Sequence, residues 1–166
     1  MRPTHNVCTF LAAIVISAYA TLAFTMPAHA SDATCIMNVL SDTQKALGST
    51  SRLKRVYNTY FGEALAAQAA GGRKWKKFSV SERKAQVDFA RDFVVTIASN
   101  LEPYAGVKVT LTSHIGNKVI AIATTTDGPE KITAYMSGPC SFSDLQAGGK
   151  SLARLIGSYT DHIANN

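Results

Sequence analysis

Several of the usual carriers of enzymatic chemistry are missing from this 166-residue sequence. It contains no GxSxG, no P-loop, no GxGxxG and no HExxH, so hydrolase, nucleotide-binding and zinc-protease readings have nothing to rest on. There is no CxxC, and no second cysteine pair that could complete a zinc site or supply a thiol nucleophile. Histidine is scarce: beyond the N-terminal segment only His114, in a predicted turn, and His162, near the C-terminus, remain, without partners at metal-ligand spacing. No internal repeat or low-complexity tract divides the chain. These gaps point to a protein that is not an enzyme and uses no cofactor and no metal.

No apolar run is long enough to span a bilayer. Phe10 to Phe24 is apolar and uncharged, but at about 15 residues it falls short of the roughly 20 a membrane helix needs. It follows Arg2 and precedes Ala28-His29-Ala30, a small-x-small cleavage pattern. Residues 1–30 therefore read as a secretory signal peptide cleaved after Ala30, and residues 31–166 as one exported domain. A lipid-attached form is disfavoured, because Asp32-Ala33-Thr34 precedes Cys35 where a small apolar run is required.

Removal of Cys8 with that segment leaves Cys35 and Cys140, an even pair in an oxidising compartment. A disulfide between them is expected; two buried free thiols are the alternative. The hydrophobic fraction of 46% supports a folded core. The formal net charge of +6 suits anionic surfaces, and export weighs against nucleic acid.

The first half of the exported chain carries the helical period and the second half the strand period. Cys35 to Leu47 reads as a short helix stopped by Gly48, and Leu53 to Ala70 as one longer helix ended by Gly71-Gly72. Ser79 with Glu82 forms a capping-box pattern at the head of a helix bearing Phe89, Phe93, Val94 and Ile97, which Pro103 ends. Strands follow at Val107–Thr112, Val119–Thr126, Ile132–Met136 and Ser141–Leu145, and a last amphipathic helix carries Leu152, Leu155, Ile156 and Tyr159. Tight turns make the strands antiparallel. The fold class is therefore α+β: an antiparallel sheet of about four strands covered by helices on one face, with room for an apolar cavity between the layers.

Two clusters of charge need weighing. Asp88 and Asp92 lie one helical turn apart, but Lys84 and Arg91 beside them favour a solvated ionic face. Asp144, in the last strand, either orients a neighbouring turn by accepting backbone N–H bonds, the reading the sequence favours, or has a functional role. The segment Arg73-Lys74-Trp75-Lys76-Lys77 is the strongest surface signal, suited to an anionic membrane or an acidic partner protein. The other reading is a solvated loop with Trp75 folded onto the core.

The order of landmarks resembles the periplasmic MlaC / toluene-tolerance auxiliary family of lipid-trafficking ABC systems. Tyr57–Leu65 (YNTYFGEAL), Trp75, Ser79-Val80-Ser81-Glu82-Arg83, the Phe89-x-x-x-Phe93 pair and Leu101–Gly106 (LEPYAG) stand in the family's order. So do Asp144, Gly149, Ser151 and Leu152, at the family's Asp-x-x-x-x-Gly-x-Ser-Leu spacing. Cys140 and Ser143 replace its tryptophan and tyrosine, and the Arg83–Phe89 interval is longer than usual. The resemblance implies a periplasmic carrier that passes a phospholipid, or a hopanoid-like lipid as in a related branch, between the outer membrane and an inner-membrane ABC transporter. Its implied partners are that ABC complex and an outer-membrane lipoprotein complex. The apolar residues assigned to inward faces, Phe61, Leu65, Phe89, Phe93, Val109, Leu111, Ile120, Ile122 and Tyr135, are then candidate cavity lining. Two other classes remain open: a cone-shaped NTF2-like enzyme, which would need a polar group inside the cavity and which an inward-pointing His114 or Asp144 would favour, and an exported protein-binding domain with a solid core.

Overall fold

The computed structural model describes residues 30–100, 108–125 and 128–164. The expected leader ahead of Ala30 and the Leu101–Gly106 motif lie outside the described residues. The helices are α1 (Ala30–Ala46), α2 (Thr50–Tyr60), α3 (Gly62–Ala70), α4 (Gly72–Trp75), α5 (Val80–Ser99) and α6 (Leu152–Ala164). Between α5 and α6 run β1 (Lys108–Ile115), β2 (Lys118–Thr125), β3 (Gly128–Gly138), β4 (Ser141–Ala147) and the two-residue β5 (Lys150–Ser151). The chain is thus a helical layer followed by an antiparallel meander in the order β1-β2-β3-β4-β5. This is the expected α+β class, with one short strand more than the sequence suggests.

The capping box at α5 forms as its residues predict. Glu82 N donates to Ser79 Oγ at 3.3 Å, and Ser79 N donates to Glu82 Oε2 at 2.7 Å. Such a cap stabilises a helix start by about 1 kcal/mol. The expected single helix over Leu53–Ala70 is instead two. Phe61 leaves helical geometry at φ −120°, and Gly62 takes φ +47°, a left-handed conformation that glycine adopts without strain. Tyr57 Oη closes the break by donating to the Gly62 carbonyl at 3.0 Å. The break lets α2 stay against α1 and α5 while α3 lies on β4.

The core sits where α2 and α3 meet β4. Phe142, fully buried, has its ring centroid 5.8 Å from Phe61 and 6.4 Å from Tyr60, and Phe61 stacks on Tyr57 at 6.0 Å. The sheet's helix-facing side is set by register: Val119 opposes Ala134, Ala121 opposes Ile132, and Ala134 opposes Leu145, all of them buried. α6 returns alongside α3 at very short range. A Cβ at Gly157 would stand 2.6 Å from the Ala69 carbonyl oxygen, so any side chain there forces the two helices apart.

A disulfide joins Cys35 of α1 to Cys140 in the β3–β4 turn, with Cα atoms 5.1 Å apart, as expected for the pair. Among the described residues no helix is long and apolar enough to cross a membrane.

Candidate functional site

The expected cavity-lining residues separate into groups. Phe61 and Leu65 are buried inside the core just described. Phe89, Phe93 and Val109 are half-buried and pack against its margin. Leu111, on the edge strand β1, is 39% exposed. Ile120, Ile122 and Tyr135 do not share that side of the sheet. Register pairs Ile120 with Thr133, Ile122 with Lys131 and Tyr135 with Lys118, which puts all three on the side turned away from Val119, Ala121 and Ala134. The Lys118 ammonium stands over the Tyr135 ring at 6.0 Å there. Inward placement of these three is therefore corrected by the strand register.

What the structure does bring together is a half-buried aromatic strip between α5 and α6. Phe89 and Phe93 have ring centroids 6.2 Å apart, and Phe93 lies 5.0 Å from Tyr159, itself 53% exposed. Tyr159 was visible in the sequence only as part of an amphipathic helix. The helix-facing side of the sheet carries Ala121, Ala123, Ala134 and Ala147, all 1% exposed or less.

The basic segment resolves into two parts. Trp75 is 8% exposed, with its ring 6.0 Å from Phe78 and the Arg83 guanidinium 5.5 Å above it, so it has folded back onto the protein. Arg73, Lys74, Lys76 and Lys77 remain exposed around it, in and just after the single turn of α4. Lys74 Nζ lies 3.5 Å from Asp161 of α6.

Arg73 and Lys74 also form one rim of a groove of about 730 Å³ between the end of α3 and α6. The opposite rim carries Arg154, Ser158 and Asp161, and the floor is Asp144, Gln146 and Ser151. The floor is fully engaged. Asp144 Oδ1 accepts from Ala153 N at 2.9 Å, and Oδ2 accepts from Ser151 Oγ at 2.8 Å and Gln146 Nε2 at 3.1 Å. Ser151 Oγ in turn accepts from Arg154 N at 3.1 Å. Of the two roles open to Asp144, the structure shows the anchoring one: the carboxylate holds the first turn of α6, where helix N–H groups favour negative charge. The groove and the part of Arg154 in it were not foreseen, because they need α6 laid against α3.

The remaining charged groups form surface networks. Asp88 pairs with Arg91 at 2.8 Å and with Lys84, whose hydrogen bond is the first cause holding its carboxyl below the usual range. Asp92 meets Lys54 at 3.2 Å, so this is the solvated ionic face that the sequence favours. A smaller cleft of about 260 Å³ between α1 and α2 is lined by Lys45, Arg52, Arg55 and Tyr60. Tyr60 Oη donates to Asp42 Oδ2 at 2.6 Å; burial first, and then Asp42, push its pKa up to about 12. His114 lies in β1 opposite Val119 and not in the turn, and His162 belongs to α6. Among the described residues no group of three or more His, Cys, Asp or Glu side chains could hold a metal ion.

No protein-family model and no curated protein matches this sequence. Among solved structures the chain is similar to a phospholipid-binding protein from Ralstonia solanacearum, solved in complex with a phospholipid. The two are 14% identical, the match covers 84% of this chain and 89% of the other, and the TM-score is 0.59. At this identity the likeness is one of fold.

Proposed function

We propose that this protein is an exported phospholipid-binding carrier. The observation that carries the reading is the fold: its layout of helices over an antiparallel sheet matches, across most of both chains, a protein solved with a phospholipid bound. The local geometry supports it. The half-buried strip Phe89–Phe93–Tyr159 offers aromatic surface at the edge of the helical layer. Acyl chains seated there escape water at about 0.8 kcal/mol per CH₂. A two-chain lipid crossing water unaided would face a cost on the order of 20 kcal/mol, which is what a carrier removes.

The wider role follows the sequence resemblance. The carrier works in the periplasm after loss of its leader, moving lipid between the outer membrane and an inner-membrane ABC transporter. Such a carrier needs no catalytic group.

Phe93→Asp tests the seat of the lipid. A carboxylate placed among acyl chains costs several kcal/mol, so bound lipid should fall by about 100-fold or more. Lys118→Ala, on the far face of the sheet, should retain lipid at the level of the unaltered protein. Lipid extracted from the two purified, folded variants is the readout. Equal retention in both would remove the aromatic strip from the binding site.

A further inference from the structure

Exposed cations cluster around the α3–α6 groove. Arg73, Lys74 and Arg154 rim the groove, and Lys76 and Lys77 continue the basic surface past it. Of the acidic groups in the lining, Asp144 is buried with both oxygens occupied, and Asp161 lies 3.5 Å from Lys74, which leaves Arg73, Lys76, Lys77 and Arg154 to set the charge of the surface. Beside Lys77 the chain exposes Val80, which is 87% solvent-accessible at the start of α5. Trp75 lies beneath this surface, packed on Phe78 and Arg83, and fixes the segment in place. The result is a positively charged surface with an apolar residue standing out of it and the α3–α6 groove beside it.

We infer that this surface, Arg73 to Val80 together with Arg154, docks the protein onto a bilayer rich in anionic phospholipid. The inference rests on the carrier reading for its purpose, since a carrier must meet a membrane or a membrane-bound complex to exchange its lipid. Charge complementarity selects the occupant: each cation held near an anionic leaflet strengthens binding about fivefold. Val80 then sits at the depth of the headgroups, and the groove receives a lipid phosphate between Arg73 and Arg154. The attraction fades within roughly 8 Å at physiological salt, so docking is reversible and sensitive to ionic strength.

The test is co-sedimentation of the protein, expressed from its full-length sequence and purified, with vesicles of phosphatidylcholine alone or mixed with phosphatidylglycerol. The protein should pellet with the mixed vesicles and release as salt is raised. The triple variant Arg73→Gln/Lys76→Gln/Lys77→Gln should lose about 100-fold in partitioning. The control triple Lys45→Gln/Arg52→Gln/Arg55→Gln, in the α1–α2 cleft, removes the same charge and should lose far less. Equal losses in both triples would reduce the effect to net charge and overturn the inference. Failure of the unaltered protein to prefer anionic vesicles would also overturn it and give the surface to an acidic protein partner. Lipid extracted from the same preparations separates the two proposals. Docking without bound lipid would leave the surface assigned and remove the carrier role; bound lipid without docking would do the reverse.

Discussion

Replacing Cys35 and Cys140 together with serine should destabilise the protein by about 4 kcal/mol. The two residues are 105 positions apart, and on the chain-entropy model closing a loop of that size removes about 4–5 kcal/mol of freedom from the unfolded chain. The bridge also holds α1 to the far end of the sheet. Ile36, Val39 and Leu40 of α1 are almost fully buried, so release of the tether puts that apolar contact at risk. For a domain of this size the melting temperature should fall by about 10 °C. Reductant should lower the melting point of the unaltered protein and leave that of the double variant unchanged. Equal melting points for the two proteins under oxidising conditions would show that the bridge contributes nothing to the folded state.

The second large effect is expected at Asp144. Its carboxylate accepts from a main-chain N–H, a hydroxyl and an amide, and it is 5% exposed. Asp144→Ala strands all three donors in a buried place and removes the negative charge at the head of α6, at a cost of about 2–3 kcal/mol. Asp144→Asn keeps one acceptor oxygen and should cost roughly half as much. Urea unfolding of the three proteins gives the comparison. If alanine and asparagine are equally harmless, the hydrogen bonds at Asp144 do not anchor α6.

Much of this architecture is legible in the residues. Ser79 and Glu82 announce the start of α5, the change of period after Pro103 marks the passage to strands, and the even cysteine pair foretells the bridge. The phase of β2 is not legible. Val119 to Thr125 is apolar or β-branched at both parities, so nothing in it says whether Val119-Ala121-Ala123 or Ile120-Ile122 faces the helices. Larger side chains suggested the isoleucines; pairing with β3 decided for the small residues. The α2–α3 break was hidden for a related reason. The apolar period continues across Phe61-Gly62, while the turn depends on the φ of one glycine and a hydrogen bond from Tyr57. Trp75 among four cations is equally compatible with an exposed anchor and a buried one, and only Phe78 and Arg83 settle its position. The groove needs α6 against α3, a contact that depends on Gly157 and leaves no periodic trace.

The most direct test of the carrier role is native mass spectrometry of the protein purified from an expressing Gram-negative cell, followed by lipid extraction and identification. A mass increment that disappears on unfolding and yields a phospholipid is the expected result. A protein that is lipid-free as isolated, and stays so after incubation with phospholipid vesicles, would contradict it.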